Sequence, residues 1–238
     1  MKIKRPVSKT LSLFFSFLIL VLIIITVKSR DAEAVTSEIE GGLEHTVVLK
    51  PDGTLWTWGR NNYGQLGDGT TTNRYSPAKI GTAANWSSVT TGLYHNIALK
   101  SDGTLWVWGW NFIAQLGDGT IIDRYSPVQI GTAANWSFVE AGFAYSLALK
   151  SNGTLWAWGD NVEGQLGDGT QEIKVSPVQI GTDTDWSFVT GGDAHTLALK
   201  SNGTLWAWGD DFYGQVGNGS PTESEYSPVQ IGTDTNWS

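Results

Sequence analysis

The sequence predicts an all-β fold, a β-propeller of four-stranded blades, preceded by an N-terminal apolar helix. A stretch of ten residues, KSNGTLWAWG or a near copy, occurs four times at intervals of 50 residues, from Lys50, Lys100, Lys150 and Lys200. The 238 residues include 29 glycines and 13 tryptophans, which is typical of a β protein with tight turns and an aromatic core. Because four strands in roughly 40 to 50 residues is the spacing of a propeller blade, the period favours a propeller over a stacked solenoid.

Four short strands are predicted in each unit. In the third unit they lie around Val139, from Ser146 to Lys150, in the segment TLWAW and in the segment PVQI after Pro177. An Asp-Gly or Asn-Gly pair, such as Asn152-Gly153, separates the second and third strands and predicts a hairpin in which both turn residues have positive φ.

The third strand predicts how the blades pack. Side chains alternate along a strand, so Trp156 and Trp158 point to one face and Leu155 and Ala157 to the other. One face is bulky, the other is small, and both are apolar. We therefore expect the bulky face of each copy to stack on the small face of its neighbour.

The repeat sets the domain boundaries. The units span residues 36–85, 86–135, 136–185 and 186–236, and Trp237-Ser238 opens a fifth copy. The first unit has Thr36 where the later copies have tryptophan. We expect either a truncated reading frame or an arc of blades that needs a partner to close.

Residues 1–34 are predicted to be a signal peptide or an uncleaved signal anchor. A basic stretch precedes an uncharged apolar core at residues 11–27, and Ala32-Glu33-Ala34 offers a cleavage site after Ala34. In both cases the positive charge before Leu11 keeps the N-terminus in the cytoplasm and sends the repeats across the membrane. The expected location is extracytoplasmic, either secreted or anchored, with the membrane contacted only through residues 11–27.

Charge and cysteine content exclude several classes of function. The formal net charge is −8, and the region from Val35 onward carries nine Lys and Arg against 21 Asp and Glu, a net charge of −12. Because such a surface repels phosphate groups, we expect no nucleic-acid partner. The absence of cysteine excludes disulfides, cysteine-ligated zinc and a thiol nucleophile.

The repeated motifs resemble a known family. G-x-x-H, A-L-K-S-N-G, L-W-x-W-G, G-Q-L-G-D-G-T and S-P-V-Q-I, or near copies, follow one another in each unit. This succession resembles the regulator of chromosome condensation repeat over all of residues 36–236. The resemblance implies a propeller that closes with about seven blades, so four would form an incomplete ring. The family includes an exchange factor for a small GTPase that binds chromatin, regulatory modules of ligases and kinases, and a secreted bacterial inhibitor of β-lactamases. The export segment and the acidic repeats resemble the secreted members.

Residues that recur in every unit are expected to be structural. His45, His95 and His195 share one slot, which Tyr145 fills in the third unit, so a metal site is disfavoured. The aspartate of L-G-D-G-T stands alone between glycines, which favours a turn over a calcium loop. A structural role is also predicted for the paired tryptophans of the third strands, Trp56, Trp58, Trp106, Trp108, Trp156, Trp158, Trp206 and Trp208. With no catalytic pair set apart from the repeat, we expect no enzymatic activity, cofactor or metal.

Binding is predicted in the segments that vary between units, which follow W-G and G-x-G and lie at blade ends. Aromatic and apolar residues in them are candidate interface anchors: Tyr63, Tyr75, Trp110, Phe112, Ile113, Ile121, Ile122, Tyr125, Phe212, Tyr213 and Tyr226. The favoured function is protein binding by an exported, non-catalytic propeller. The alternatives are a cell-surface glycan-binding module, which would repeat an aromatic and acidic pair in each blade, and a regulator with guanine nucleotide exchange activity.

Overall fold

The computed structural model describes residues 37–219 and 224–237, and these form four antiparallel sheets of four strands each. The predicted apolar helix at residues 11–27 and the signal segment that contains it lie outside the described residues. Within the described part, no helix has the length and hydropathy to cross a membrane.

Each sheet is one blade, and its strands pair in chain order. Blade 1 contains β1 (Glu38–Gly41), β2 (His45–Leu49), β3 (Leu55–Gly59) and β4 (Arg74–Lys79). Blade 2 contains β5 (Trp86–Thr91), β6 (His95–Lys100), β7 (Leu105–Gly109) and β8 (Arg124–Gln129). Blade 3 contains β9 (Trp136–Ala141), β10 (Tyr145–Lys150), β11 (Leu155–Gly159) and β12 (Lys174–Gln179). Blade 4 contains β13 (Trp186–Gly191), β14 (His195–Lys200), β15 (Leu205–Gly209) and β16 (Glu225–Ile231). The prediction of an all-β propeller with four blades is confirmed.

The hairpin between the second and third strands is confirmed, but the predicted turn geometry is wrong. Gly53 has φ of 73°, whereas the preceding Asp52 does not have positive φ. The backbone N–H of Gly53 donates to Lys50 O at 2.9 Å, and that of Lys50 donates to Thr54 O at 3.0 Å. This is a three-residue loop in which only the glycine is left-handed. The Asp52 carboxylate instead accepts a hydrogen bond from the Thr54 hydroxyl at 2.6 Å. The same hydroxyl accepts a hydrogen bond from the Trp56 indole N–H at 3.0 Å.

The core lies between blades, as the alternation in the third strand predicts. The face of each blade that carries its two third-strand tryptophans is termed the tryptophan face, and the opposite face is termed the leucine face. Leu147, Leu155 and Ala157 of blade 3 pack with Ala198 and Trp208 of blade 4. Blades 1 and 2, and blades 2 and 3, form equivalent clusters. Each leucine face therefore stacks on the tryptophan face of the following blade.

Polar contacts accompany this stacking and explain two of the repeated motifs. The glutamine of G-Q-L-G presents its backbone carbonyl to the next blade, where the tryptophan indole N–H donates to it. The three bonds are Trp108 to Gln65 (3.1 Å), Trp158 to Gln115 (3.0 Å) and Trp208 to Gln165 (2.9 Å). His45 Nε2 donates to Asn96 Oδ1 of the next blade at 2.8 Å. Thus His45 and the G-Q-L-G glutamines hold one blade to the next.

Candidate protein-binding face

Both kinds of variable segment emerge at the same end of every blade. Strand pairing sets His45 opposite Gly59 at this end, whereas Leu49 lies opposite Leu55 next to the hairpin turn. The end that carries the turn between the first two strands and the loop after the third strand is termed the loop end. The other is termed the hairpin end. Side chains from four blades therefore meet at the loop end.

A shallow cavity of about 380 Å³ opens at the centre of the loop end. The same three positions of each blade line it: residues 41–43, 91–93, 141–143 and 191–193. Backbone bonds link the turns in series, from Leu43 N to Leu93 O (3.1 Å), from Leu93 N to Phe143 O (3.1 Å) and from Phe143 N to Gly192 O (3.2 Å). Leu43, Leu93 and Phe143 are the large apolar residues of its lining, and Asp193 is the acidic one.

An aromatic cluster spans blades 1 and 2 at the loop end. The rings of Tyr63 and Tyr94 lie 5.2 Å apart between centroids, and Trp110 lies 6.1 Å from Tyr63 and 6.3 Å from Tyr94. The Arg60 guanidinium carbon lies 5.3 Å from the Tyr94 ring centroid and 5.6 Å from that of Tyr63. These distances are those of stacked, tilted or edge-on aromatic contacts and of cation–π contacts.

One carboxylate fixes the geometry of this cluster. Glu44 Oε2 accepts hydrogen bonds from Arg60 Nη1 at 2.5 Å and from the Tyr94 hydroxyl at 3.1 Å. The hydrogen bond from Arg60, followed by that from Tyr94, lowers the pKa of the Glu44 carboxyl. Burial and then the neighbouring Glu44 carboxylate raise the pKa of Tyr94. The phenol therefore stays protonated and the ring keeps its orientation.

The first strands of the blades carry carboxylates close to one another. Glu38 Oε2 accepts the Val89 N–H of the next blade at 2.7 Å, which satisfies a donor on the open edge of β5. Burial and then the charge of Glu40 raise the pKa of Glu140 to about 7, and a hydrogen bond with Thr190 opposes the shift. Within the described ranges, no three His, Asp or Glu side chains are grouped so as to hold a metal ion.

The structure brings some of the predicted binding residues together and separates others. Tyr63 and Trp110 meet in the aromatic cluster, and Phe112, which is 70% exposed, lies in the same loop as Trp110. Phe212 and Tyr213 contact each other in blade 4 at 4.8 Å. Ile113 lies in the loop after the third strand and is half-buried. The remaining candidates lie in the loop before the fourth strand or on that strand: Ile121, Ile122, Tyr75, Tyr125 and Tyr226.

The expectation that the segment after W-G varies freely is wrong at its second position. Asn61, Asn111 and Asn161 are fully buried there, as is Asp211 in blade 4. Asn111 Nδ2 donates to Asp118 Oδ1 and to two backbone carbonyls at 3.1 to 3.2 Å, and its Oδ1 accepts the Leu116 N–H at 2.9 Å. These residues close the loop from inside and are not available to a partner. Tyr125 and Tyr226 also pack on the preceding blade, against Gly64 and Gly164.

Sequence reasoning missed Tyr94 and the residues that line the cavity. They lie in the turn G-x-x-H, in which only the glycine and the histidine slot are part of the repeated motif. The pair of residues between the glycine and the histidine slot differs from unit to unit: Leu43-Glu44, Leu93-Tyr94, Phe143-Ala144 and Asp193-Ala194. That variation was the available signal.

Comparison with known proteins finds the same family of repeats that the sequence motifs resemble. The family model described as regulator of chromosome condensation (RCC1) repeat matches residues 52–99, 102–149, 152–199 and 202–237. A second model with the same description matches residues 37–65, 136–165 and 186–215. The ultraviolet-B receptor UVR8 of Arabidopsis thaliana is 43% identical to this sequence over 44 residues. The matched segment is 18% of this chain and 10% of the receptor.

Solved structures show the same fold. Human WBSCR16 superposes with a TM-score of 0.73 at 24% identity, over 82% of this chain and 52% of that one. Prp20p from Saccharomyces cerevisiae superposes with a TM-score of 0.74 at 22% identity, over 82% of this chain and 50% of that one. The chain thus spans about half the length of these structures.

Proposed function

The chain belongs to the regulator of chromosome condensation (RCC1) repeat family, and we propose that it is a non-catalytic, exported propeller that binds a protein partner through its loop end. The observation that carries the proposal is the aromatic cluster of Tyr63, Tyr94 and Trp110, which lies across two blades. The structural relative Prp20p binds Gsp1p and histones, which supports a protein as the kind of partner.

The loop end has the features of a protein interface. Binding energy in such interfaces concentrates in a few tryptophan, tyrosine and arginine side chains held in fixed positions. Trp110, Tyr63 and Arg60 are of these types, and Glu44 holds Arg60 in place. Apolar residues surround them: Leu43 and Phe112 are exposed, and Phe143 lines the cavity. A partner would therefore meet ordered anchors that lose little conformational freedom on binding.

Glycan binding is the weaker reading, because the aromatic cluster is not repeated. A module that reads a repetitive sugar would carry an equivalent aromatic and acidic pair in each blade. The positions that correspond to Tyr63 are Ile113, Glu163 and Tyr213, and those that correspond to Trp110 are Arg60, Asp160 and Asp210. The loop end is thus one asymmetric surface, which favours a protein over a repeating sugar.

Photocrosslinking tests this proposal in the full chain. A benzophenone amino acid at Phe112, at the loop end, should give a protein adduct in the producing cells, whereas the same probe at Lys79, at the hairpin end, should not. With the captured partner purified, Trp110→Ala should weaken binding about 30-fold, the loss of one interface anchor. Lys79→Ala should leave the affinity within twofold. Equal adducts at both probes, or capture of glycan alone, would overturn the proposal.

Export is tested separately. Alkaline phosphatase, which is active only outside the cytoplasm, is fused after Ser238 of the full chain in a bacterial host. The proposal expects phosphatase activity from this fusion and little activity once Leu18 and Leu20 are replaced by arginine, since charge in the apolar core blocks membrane entry. Equal activities of the two fusions would contradict export through residues 11–27.

A further inference from the structure

The loop end of blades 2 and 3 exposes large apolar side chains beside the aromatic cluster. Six of them, each 44 to 70% exposed, are termed the apolar rim: Phe112, Ile121, Ile122, Val162, Ile173 and Val175. Blade 1 has polar residues at four of the five corresponding positions, which are Asn62, Thr71, Thr72 and Asn73. The rim is therefore not a property of the repeat. Because exposed apolar side chains that group together mark contact sites on folded proteins, the rim points to a partner.

Hydrogen bonds bring the segments of the apolar rim together. The Gly119 N–H donates to Val175 O of the next blade at 2.8 Å, so the loop that carries the two isoleucines of blade 2 lies against β12. Asn111 Nδ2 donates to Ile122 O at 3.1 Å and joins the two loop segments of blade 2. The equivalent asparagine of blade 3 donates to Glu172 O at 3.2 Å. The rim is therefore one surface across two adjacent blades.

The described blades carry most of their negative charge at the loop end. The hairpin turns and the segments after the fourth strands, together with the last residue of each second and fourth strand, contain five lysines and five aspartates, a net charge of zero. The turns and loops of the loop end, together with the first residue of each fourth strand, contain four Lys and Arg against 12 Asp and Glu, a net charge of −8. One end of the blades is thus neutral and the other is strongly acidic.

The four cations of the loop end are all in ion pairs within the described ranges. The pairs are Arg60 with Glu44, Arg74 with Asp68 and Arg124 with Asp118, each at 2.5 Å, and Lys174 with Asp168 at 3.1 Å. Carboxylates also lie directly beside the apolar rim. Asp123 follows Ile122 in the chain, and Glu172, whose side chain is 81% exposed, precedes Ile173. On these blades a partner at the loop end therefore meets apolar side chains and carboxylates, but no unpaired cation.

We propose that the partner contacts the loop end with a basic segment, in which lysine or arginine side chains accompany apolar ones. The inference rests on the proposed function, because it describes the protein that the loop end binds. The apolar side chains of the segment cover the apolar rim, and its cations lie over the carboxylates beside the rim. The same negative charge repels acidic protein surfaces and anionic lipid headgroups, which disfavours both as occupants of the rim.

Charge complementarity of this kind acts mainly on the rate of association. At 0.15 M salt the screening length is about 8 Å, whereas a strand of five residues is about 17 Å long. Charges at the hairpin end are thus screened from a partner at the loop end. The two ends of the same molecule can therefore be compared directly.

The experiment uses the full chain and the partner captured through the benzophenone probe at Phe112. Two double variants each remove two negative charges, one beside the apolar rim and one at the hairpin end: Asp123→Asn with Glu172→Gln, and Asp52→Asn with Asp102→Asn. The three aspartates are replaced by the asparagine that another unit carries at the same position, and that asparagine accepts the same hydrogen bonds in its loop. Both variants should therefore fold as the natural chain does.

Association rates are measured by stopped-flow fluorescence at 0.15 M salt. The variant beside the rim should associate about fivefold more slowly than the natural chain, and the hairpin-end variant should stay within about 1.5-fold of it. The peptide of the partner that crosslinks to the Phe112 probe, identified by mass spectrometry, should carry a net positive charge. Equal association rates for all three proteins, or an acidic crosslinked peptide, would overturn the basic segment and leave protein binding at the loop end intact. Absence of any protein adduct at Phe112 would instead refute the proposed function, and this inference with it.

Discussion

Tyr125 lies across Gly64 of the preceding blade, so closely that a Cβ on Gly64 would overlap the tyrosine ring. Tyr226 and Gly164 repeat the arrangement between blades 3 and 4. Between blades 2 and 3 both positions differ, with Ala114 in place of the glycine and Val175 in place of the tyrosine. Ala114 keeps the left-handed backbone, with φ of 60°, and is fully buried. At this interface the alanine is larger than the glycine that it replaces, and the valine that faces it is smaller than the tyrosine of the other interfaces.

Replacing Gly164 by alanine should destabilise the protein by about 1 to 3 kcal/mol, since the new methyl group meets Tyr226 and adopts a left-handed backbone. Urea unfolding followed by tryptophan fluorescence measures the change. The double variant Gly164→Ala with Tyr226→Val, which copies the natural pair Ala114 and Val175 between blades 2 and 3, should recover part of the loss. Additive losses in the double variant would show that the two positions are not coupled.

Asn111 should be among the most sensitive polar residues of the chain. Its side chain is completely buried and makes hydrogen bonds to Asp118, Leu116 and two backbone carbonyls. Asn111→Ala removes these bonds and leaves the Leu116 N–H without its acceptor, so it should lower the free energy of unfolding by about 2 to 4 kcal/mol in the same urea assay. Asn62→Ala, at an exposed position of the equivalent loop, is the matched control and should cost less than about 0.5 kcal/mol. Similar losses for both variants would refute the structural role of Asn111.

His95 should make the protein less stable in mild acid. Burial, with a smaller contribution from His45, lowers the pKa of His95 from 6.5 to about 3. The unfolded chain therefore takes up a proton that the folded chain does not, so stability falls as pH decreases from 6.5 towards 3. At pH 5 the contribution is on the order of 2 kcal/mol.

The variant His95→Tyr copies the residue that blade 3 carries at this position, Tyr145, whose hydroxyl donates to His195 O at 2.5 Å. Urea midpoints measured at pH 7.5 and pH 5 should differ less for this variant than for the natural chain. An unchanged pH dependence would exclude His95 as its source.

Glu140 should change the stability of the protein with pH in the direction opposite to His95, over a partly overlapping pH range. Its pKa is raised from 4.5 to about 7 by burial and by the charge of Glu40, with Glu38 close to Glu40 on the same strand. The folded chain holds a proton that the unfolded chain releases, so the stabilisation is complete below pH 4.5 and is lost as pH rises through 7.

The test compares urea midpoints at pH 5 and pH 8. Relative to the natural chain, Glu140→Gln should gain stability at pH 8 and change little at pH 5. Glu172→Gln, which removes a carboxylate from the surface, controls for the loss of one charge. A gain at pH 8 that is equal in both variants would mean that the environment of Glu140 is not responsible.

The fold could be predicted from the sequence because its determinants are local and repeated. The alternation of Leu155, Trp156, Ala157 and Trp158 fixes two apolar faces, and the 50-residue period stacks them. The candidate site could be predicted only in part, because it depends on which residues of different blades meet around the centre. Tyr63 and Trp110 were identified as variable aromatics, but Tyr94, which joins them, lies in a turn whose place at the loop end follows from strand register. The burial of Asn61 depends on how its loop folds back, and the recurrence of asparagine at this slot in three units was the available signal.

The cavity at the loop end takes one side chain from the same turn of every blade, and the turns are joined through backbone atoms alone. Leu43, Leu93, Phe143 and Asp193 can therefore be exchanged one at a time while the scaffold beneath them stays the same. Each turn of the repeat therefore presents one exchangeable side chain to the cavity. A change of binding specificity would need substitutions only at these turn positions, and duplication of a blade would add one more such position.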